Sequence, residues 1–587
     1  MTNNNGTFKF IDRKVIIRIK GRVCETPEEL ITSDLFYEVV RRFVADLVRK
    51  DSPLLKLFDK PEPDESDVHT LVQTFLFAQK IPLELVPKLV ENSDRFAADP
   101  YLLYNFVERL YDYWREFERF VVCDSTGDEL DKRPYRTFNA TIGSLMHLIR
   151  GVYRDIQENV TGKHPDIYRQ VRAGAEVAVI ILPKELPYLT GPYQKLAGIP
   201  LIRQILLYPP LLLNPPMNKR SGQFERINQN PLELVEIQQK EWLCYPAKVG
   251  SLLVLVYFHE RFFELGFALC NLFELADDEF LQRKADAVYL FGVPGETLDT
   301  LADFPTVFYD DSSQQMLAAA VPGRDEFGYF GYLKKMILTL HNVQVMKMGR
   351  MPYHGAMVRI VLAEDKVKTI LIIGDTGAGK SETLEAFRTL GQSLIKEMTI
   401  IADDMGSLEI TGNKIKGYGT EVGAFIRLDD LQAGYAFGQL DRTIIMSPSQ
   451  VNARVVMPVT TYAEVVKGYE VDMILYANNY EQVDETQPII EKFDTPEAAL
   501  SVFKEGVAMS KGTTTSTGLV STYFVNVFGP IQYQTLHDEI AERYFDLFFS
   551  QGIFVGQLRT RLGVPGWERT GPEEAARELL KMLAQEK

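Results

Sequence analysis

The sequence predicts an α/β or α+β protein with a helical N-terminal domain, and three observations support this. Apolar residues recur at helical spacing across residues 26–171. Short apolar strands, some separated by helices, follow across residues 175–527. Within that region, the apolar strand 369–373 leads through a glycine-rich turn into an amphipathic helix at 381–394. We therefore predict a mainly helical accessory domain at residues 1–174, a central α/β domain at 175–340 and a C-terminal domain at 341–587.

The N-terminal region is predicted from its periodicity. After a polar tail, residues 14–19 alternate as a short strand does. Leu35, Val39 and Phe43 recur at helical spacing, and residues 102–120 form a second helical run rich in aromatic residues. Three histidines in this region stand alone: His69, His147 and His164. We therefore expect no chemical site there.

The later elements are predicted from apolar runs and from proline. The predicted strands of the central region lie at residues 177–182, 252–258, 287–291 and 306–309. Paired prolines predict loops at 208–210 and 214–216. The tail, residues 572–585, is predicted to be a short amphipathic helix with a charged face.

Composition limits the classes of partner and the compartment. The formal net charge is −16, which argues against general binding to nucleic acid or anionic membranes. The four cysteines are far apart, as expected for reduced thiols in the cytoplasm. A Thr/Asn-rich start predicts no signal peptide. The most apolar region, 249–275, is interrupted by charged residues, so it predicts a strand and a core helix rather than a membrane span.

The glycine-rich turn has the P-loop pattern G-x-x-x-x-G-K-[ST], which binds phosphate. Glycines let backbone N–H groups surround an anion, and the helix N-terminus adds positive potential. Lys380 can reach the β- and γ-phosphates of a nucleotide, and the Ser381 hydroxyl can hold Mg²⁺. The predicted nucleotide-binding residues are Gly374, Asp375, Thr376, Gly377, Ala378, Gly379, Lys380, Ser381 and Glu382.

Four further clusters lie near the P-loop in the sequence, at residues 329–335, 353–355, 400–404 and 452–458. The most specific is Asp403-Asp404, which follows an apolar strand. A P-loop needs an acidic residue downstream for its Mg²⁺, and this pair can supply one.

These motifs resemble those of the phosphoenolpyruvate carboxykinases and the related HPr kinase/phosphorylases, over about residues 285–560. The carboxykinases have Tyr-x-Gly-Glu-Met-Lys-Lys and then a His nineteen residues beyond the second Lys. Here Tyr329 takes the Tyr position, His354 lies nineteen residues after Lys335, and Tyr332 replaces the Glu. Residues 421–427, 452–458 and 528–529 resemble three further carboxykinase motifs.

The P-loop itself is closer to that of the HPr kinases, and so are His354-Gly355 and Asp403-Asp404. The carboxykinase loop Gly-Arg-Ser-Pro-Lys-Asp, whose Arg binds oxaloacetate, has no clear counterpart. Arg220 and Arg324 are weak candidates for that Arg, and Tyr329 and Glu421 are the other weak candidates for substrate contact.

The resemblance implies a mixed-sheet, carboxykinase-like nucleotide domain and a site with two cations. Lys335, His354 and Asp404 would bind Mn²⁺, and Asp403 with Ser381 would contact the Mg²⁺ of Mg-ATP. Lys380 and Arg454 would hold the γ-phosphate. In an HPr kinase-like enzyme, Asp403 would instead be the general base, assisted by His354.

Three functions stay open at this point. The first is a carboxykinase-like phosphotransferase that converts ATP and an oxaloacetate-like acid into phosphoenolpyruvate, ADP and CO₂. The second is a kinase acting on a protein serine or a small-metabolite hydroxyl. The third is an ATP-binding regulator without turnover. The phosphoryl acceptor, the donor nucleotide and the oligomeric state are not determined by the sequence.

Overall fold

The computed structural model describes residues 7–20, 23–124, 133–164, 170–363, 365–390, 394–430, 440–510 and 518–585. The chain divides into two compact units. The first contains residues 1–183 and 202–208, and the second contains residues 184–201 and 209–587. Both helices and mixed sheets are present, so the predicted α/β class is confirmed.

The first unit combines helices with a sheet. The sheet order is Thr7–Ile11, Lys14–Ile19, Glu118–Asp124, Val177–Leu182 and Leu201–Leu207. Its α-helices are Pro27–Ile31, Asp34–Arg49, Glu65–Ala78, Asp94–Ala97, Pro100–Arg115 and Arg133–Thr161. The predicted strands at 14–19 and 177–182 are confirmed, and the predicted polar tail, residues 1–6, lies outside the described residues.

The helical prediction for residues 102–120 is wrong at its end. The helix stops at Arg115, and Glu118–Asp124 is a strand that pairs in parallel with Lys14–Ile19. Phe120, Val121 and Val122 are buried, so burial in a sheet outweighs the local helical spacing.

The second unit contains two larger sheets and two small ones. One sheet has the order Trp242–Val249, Leu252–His259, Ala287–Val293, Met316–Pro322, Val307–Asp311 and Glu225–Ile227, and Glu274–Leu275 pairs with its first strand. A small sheet contains Gly423–Arg427, Arg454–Pro458, Ile444–Met446 and Leu211–Leu213, and a hairpin contains Val507–Ser510 and Gly518–Ser521. The central strands predicted at 252–258, 287–291 and 306–309 are confirmed to within a few residues.

The second larger sheet holds the P-loop. Its order is Tyr469–Glu470, Lys414–Gly419, Met405–Thr411, Met351–Leu362, Val367–Ile373, Met473–Asn478, Phe554–Arg559 and Ile490–Lys492, and Ile395–Ala402 also pairs with Met351–Leu362. The P-loop strand, Val367–Ile373, runs antiparallel to Met351–Leu362 and parallel to Met473–Asn478. It therefore has a partner on both sides, which fixes the position from which the P-loop starts.

The α-helices of the second unit are Pro231–Leu234, Phe263–Ala268, Phe330–Lys347, Lys380–Leu390, Tyr462–Val466, Pro496–Glu505, Gln534–Ser550 and Thr570–Gln585. The helix Phe330–Lys347 is buried along nearly its whole length, and the predicted boundary between residues 340 and 341 falls inside it. The P-loop helix, Lys380–Leu390, confirms the start of the predicted helix, while 391–393 lie outside the described residues. No described helix is long and apolar enough to cross a membrane.

Candidate active site at the P-loop

Three of the predicted motifs meet at the carboxyl end of the P-loop strand. The Gly374 N–H donates to the His354 carbonyl at 3.0 Å, and the Gly355 N–H donates to the Asp404 carbonyl at 2.9 Å. Strand register explains this, since His354 pairs with Met405 across the sheet. The P-loop, the histidine and the paired carboxylates are therefore joined through the backbone.

The P-loop positions its lysine over its own carbonyl groups. Lys380 Nζ donates to the carbonyl oxygens of Gly374 at 2.6 Å and Asp375 at 2.9 Å. Burial lowers the pKa of Lys380, and the nearby charges of Asp404 and Asp375 oppose that change. The loop needs glycine at position 379, where φ is +94° and an added Cβ would lie 2.7 Å from Thr560. The loop thus places its lysine ammonium group at the N-terminus of the following helix, where a phosphate would be favoured.

Asp404 is the most strongly bonded carboxylate of the site. Its Oδ1 lies 3.0 Å from His354 Nε2, and its Oδ2 lies 2.7 Å from Lys334 Nζ. Burial alone would raise its pKa, but the charge of Lys334 and the hydrogen bond from His354 hold the pKa of Asp404 well below the ordinary value. Asp404 is therefore an anion at neutral pH.

The contacts of His354 define which nitrogen carries a hydrogen. Its Nδ1 lies 2.7 Å from the carbonyl oxygen of Val525, which can only accept, so Nδ1 is protonated. If the ring is neutral, the lone pair of Nε2 faces Asp404 Oδ1. The Nε2 lone pair and the Asp404 carboxylate oxygen are both acceptors, so a proton or a metal ion must lie between them. The Nδ1 contact to a backbone carbonyl is the arrangement common to metal-binding histidines.

The two adjacent lysines of the helix Phe330–Lys347 have different environments. Lys334 is 1% exposed and lies between Asp404 and Glu421, with its Nζ 3.1 Å from Glu421 Oε1. Burial would lower its pKa, but the two carboxylates outweigh burial and raise the pKa of Lys334. Lys335 lies 4.7 Å from the Phe528 ring centroid. Burial, and then the charge of Arg220, lower the pKa of Lys335 to about 7.

A cavity of about 590 Å³ opens in front of these groups. Its volume lies within the range of small-molecule sites. The predicted residues that line it are Arg220, Tyr329, Lys335, Asp375, Thr376, Gly377, Lys380, Ser381, Glu382, Asp403, Asp404 and Arg454. Four predicted residues do not line the cavity and instead contact residues that do: His354, Gly374, Ala378 and Gly379. Thr560 also holds the P-loop, since its hydroxyl donates to the Ala378 carbonyl at 2.7 Å.

Two of the weak substrate candidates do not line the cavity. The Arg324 guanidinium forms ion pairs with Asp299 at 2.7 Å and with Glu326 at 2.9 Å, so it is already neutralised elsewhere. Glu421 is 1% exposed and contacts Lys334. Burial raises the pKa of Glu421 to about 8, although the charge of Lys334 opposes this. Glu421 is therefore placed to support Lys334 rather than to contact a substrate.

The cavity has a basic wall, formed by Arg220, Arg427, Arg454, Lys219 and Lys335. In the described part of the chain, neither Arg220 nor Arg454 has a carboxylate within ion-pair distance, whereas Arg427 pairs with Asp429. Arg454 lies 5.4 Å from the Phe425 ring centroid, and burial raises the pKa of the neighbouring Tyr329. Two guanidinium groups and Lys335 are thus available to an anionic ligand.

Several residues of the site were not predicted. Lys219 and Arg427 line the cavity, and Arg427 could have been found because it stands in the motif 421–427. Lys334, rather than Lys335, contacts Asp404, and the adjacent positions could not be distinguished by spacing. Val525 contacts His354 through its backbone carbonyl group, and a sequence motif, which records side chains, does not reveal such a contact.

Compared with models of known protein families and with curated protein sequences, the chain shows no significant match to either. The relationship to the carboxykinases and HPr kinases therefore stays a prediction from scattered motifs. Among the described residues, no group of three or more His, Cys, Asp or Glu side chains is arranged to hold a metal ion. The predicted Mn²⁺ site contains only two such residues, because its third donor is an amine.

Proposed function

We propose that this protein is an ATP-dependent phosphotransferase with carboxykinase-type chemistry, acting on a small acid similar to oxaloacetate. One observation carries the proposal. The P-loop lysine, the paired carboxylates and two arginines without carboxylate partners face the same cavity. Such a cavity can hold a nucleoside triphosphate on one side and an organic anion on the other.

The nucleotide side uses the P-loop. Lys380 would exchange its contacts with two loop carbonyls for the γ-phosphate, which offers a charge-assisted bond. Ser381 and Asp403 line the cavity beside it and supply the oxygen ligands that Mg²⁺ prefers. Arg454 lines the same cavity and would also contact the γ-phosphate.

The acid side uses the basic wall. Arg220 and Lys335 are close enough for the charge of Arg220 to lower the pKa of Lys335. A carboxylate of the substrate would bond to Arg220, since a guanidinium group binds a carboxylate through two parallel hydrogen bonds. The cavity is also lined by Tyr329 and Phe425, which would limit the space around the bound acid.

The residues present also fit a transition metal ion. His354 Nε2 and Asp404 Oδ1 are two candidate metal ligands that lie 3.0 Å apart, and burial lowers the pKa of Lys335, the third candidate, to about 7. Mixed nitrogen and oxygen donors suit Mn²⁺ better than Mg²⁺, which prefers oxygen. When bound, these ions neutralise charge on the transferring phosphoryl group and polarise the acid.

The reaction needs positioning and neutralisation of charge more than covalent catalysis. Loss of CO₂ from the acid leaves an electron pair on the enolate oxygen. That oxygen attacks the γ-phosphorus, and the bond from phosphorus to ADP breaks. Lys380 and Arg454 stabilise the charge on the transferring group, while Arg220 holds the acid in line with it.

Phosphorus NMR tests the proposal. Protein incubated with ATP, Mg²⁺, Mn²⁺ and oxaloacetate should form phosphoenolpyruvate and ADP. Lys380→Ala should lower the rate on the order of 10²–10³-fold, the typical effect of removing one preorganised charge-stabilising group. Arg454→Gln should act similarly, whereas Arg324→Gln, at an arginine paired outside the cavity, should keep the wild-type rate.

The test also addresses the second candidate, a kinase of a hydroxyl group. Asp403 lines the cavity together with Ser381, where a general base could reach a serine hydroxyl. If no phosphoenolpyruvate forms at any Mn²⁺ concentration while a hydroxyl-bearing acceptor becomes phosphorylated, the kinase is the correct function.

A further inference from the structure

We propose that Tyr332 is a positioning residue for acid binding, because its hydroxyl group anchors the loop 219–223 that carries Arg220 into the cavity. The proposal rests on the proposed function for the identity of the acid. Tyr332 does not line the cavity and would act only through the loop.

The contact between Tyr332 and the loop is specific. The Tyr332 hydroxyl accepts from the Ser221 N–H at 3.0 Å and donates to the Ser221 carbonyl at 2.7 Å. Tyr332 itself is fully buried on the helix Phe330–Lys347, two positions before Lys334. A rigid side chain on a buried helix therefore holds both backbone polar groups of one loop residue.

Outside the Tyr332 contact, the loop is held at its end, where the Thr306 hydroxyl donates to the Gln223 carbonyl at 2.8 Å. Ser221, Gly222 and Gln223 are exposed. Arg220 donates to the Gly222 carbonyl at 3.0 Å, within the same loop, and lies 5.1 Å from the Phe224 ring centroid. Since these contacts are local to the loop, the position of the Arg220 guanidinium follows the position of the loop backbone.

A second tether links the start of the loop to the segment that carries Arg454. Asn218 Nδ2 donates to the Val451 carbonyl at 2.6 Å, and Asn452 Nδ2 donates to the Asn218 carbonyl at 2.6 Å. The segments that carry Arg220 and Arg454 are thus joined by side-chain hydrogen bonds. Tyr332 holds the same loop at Ser221, next to Arg220.

The substitution Tyr332→Phe removes the hydroxyl and leaves the ring. Tyr289→Phe is a matched control, because the Tyr289 hydroxyl is also fully buried and bonds to the Tyr332 carbonyl at 3.3 Å without contacting the loop. We expect Tyr332→Phe to raise KM for oxaloacetate about tenfold, the effect of losing one or two hydrogen bonds. KM for ATP should stay unchanged. Tyr289→Phe should leave both KM values at the wild-type level.

A double-mutant cycle separates positioning from general packing. Arg220→Gln should raise KM for oxaloacetate, and adding Tyr332→Phe should increase it little further, because both changes remove the same contact with the acid. If the fold-increases in KM caused by Arg220→Gln and Tyr332→Phe multiply in the double variant, Tyr332 does not act through Arg220 and the proposal is wrong.

Two measurements do not depend on turnover. Hydrogen exchange at the Ser221 amide should be about tenfold faster in Tyr332→Phe than in wild type or Tyr289→Phe, because its acceptor is gone. Calorimetry with malonate, a stable dicarboxylate, should show about tenfold weaker binding for Tyr332→Phe. If wild type binds malonate but does not convert oxaloacetate, the proposed function fails and the anchoring role stands. Faster exchange with unchanged malonate affinity, or equal exchange in all three proteins, would overturn the anchoring role.

Discussion

Replacing Glu421 by glutamine should change how stability depends on pH. Glu421 is 1% exposed, and Lys334 Nζ lies 3.1 Å from its Oε1. Lys334 also pairs with Asp404, whose pKa is held well below the ordinary value, so Asp404 carries the negative charge that balances this ammonium group. Burial raises the pKa of Glu421 from 4.5 to about 8, and Glu421 therefore keeps its proton at neutral pH in the folded protein.

The sign of the effect follows from linkage. The folded pKa of Glu421 lies above the unfolded value, so the stability it contributes is fully present below pH 4.5 and is lost as the pH rises through about 8. At roughly 1.36 kcal/mol per pKa unit, the loss is on the order of 4–5 kcal/mol. Glutamine cannot ionise. The free energy of unfolding of Glu421→Gln relative to wild type should therefore rise by most of this amount, about 4 kcal/mol, between pH 5 and pH 9.

Urea unfolding followed by tryptophan fluorescence measures this difference. A Trp114→Phe background leaves Trp242 and Trp567, both in the second unit. Glu470→Gln, at an exposed carboxylate paired with Lys414, should show no comparable dependence on pH. A difference between Glu421→Gln and wild type that is constant from pH 5 to pH 9 would show that Glu421 is already ionised at pH 5, and the reasoning would be wrong.

The remaining predictions concern nucleotide and metal binding. Gly379→Ala should weaken Mg-ATP binding in calorimetry, because the added Cβ would lie 2.7 Å from Thr560, whereas Gly412→Ala, with no atom within 4 Å of its Cβ, should bind normally. Mn²⁺ binding, measured by electron paramagnetic resonance, should strengthen as the pH rises through about 7, because Lys335 can act as a ligand only as a neutral amine. The substitution Lys335→Met should remove this dependence of Mn²⁺ affinity on pH. His354→Gln should weaken Mn²⁺ binding while Mg-ATP binding persists, and equal Mn²⁺ affinity in this variant and wild type would exclude the metal site.

The local parts of the site could be predicted from the sequence. The P-loop, the strand before it and the Asp403-Asp404 pair each depend on a short stretch of chain, in which glycine, apolar runs and acidic residues have direct physical consequences. His354 is predicted through the resemblance to the carboxykinases, and the strand register places it beside Asp404. A contact between two segments that are distant in the sequence could be predicted only where each segment contains a recognisable motif.

The remaining features depend on tertiary packing. Glu118–Asp124 is a strand because a distant partner, Lys14–Ile19, pairs with it, and no local pattern contains that information. Arg220 and Arg324 are equivalent candidates in the sequence, but Arg324 pairs with two acidic residues, whereas Arg220 has no carboxylate at ion-pair distance among the described residues. The bond from Tyr332 to Ser221 joins residues 111 positions apart and uses backbone atoms of the loop, so side-chain identity at position 221 does not reveal it.

The proposed function is tested by a crystal structure with ATP, Mg²⁺, Mn²⁺ and malonate. We expect the γ-phosphate to bond to Lys380, Mn²⁺ to bind at His354 and Asp404, and a malonate carboxylate to bond to Arg220. Malonate should also lie on the side of the γ-phosphate opposite to ADP, so that an enolate oxygen at the same position could attack in line. Nucleotide bound in the P-loop with malonate absent from the basic wall, or malonate bound outside the cavity of Arg220 and Arg454, would contradict the proposal.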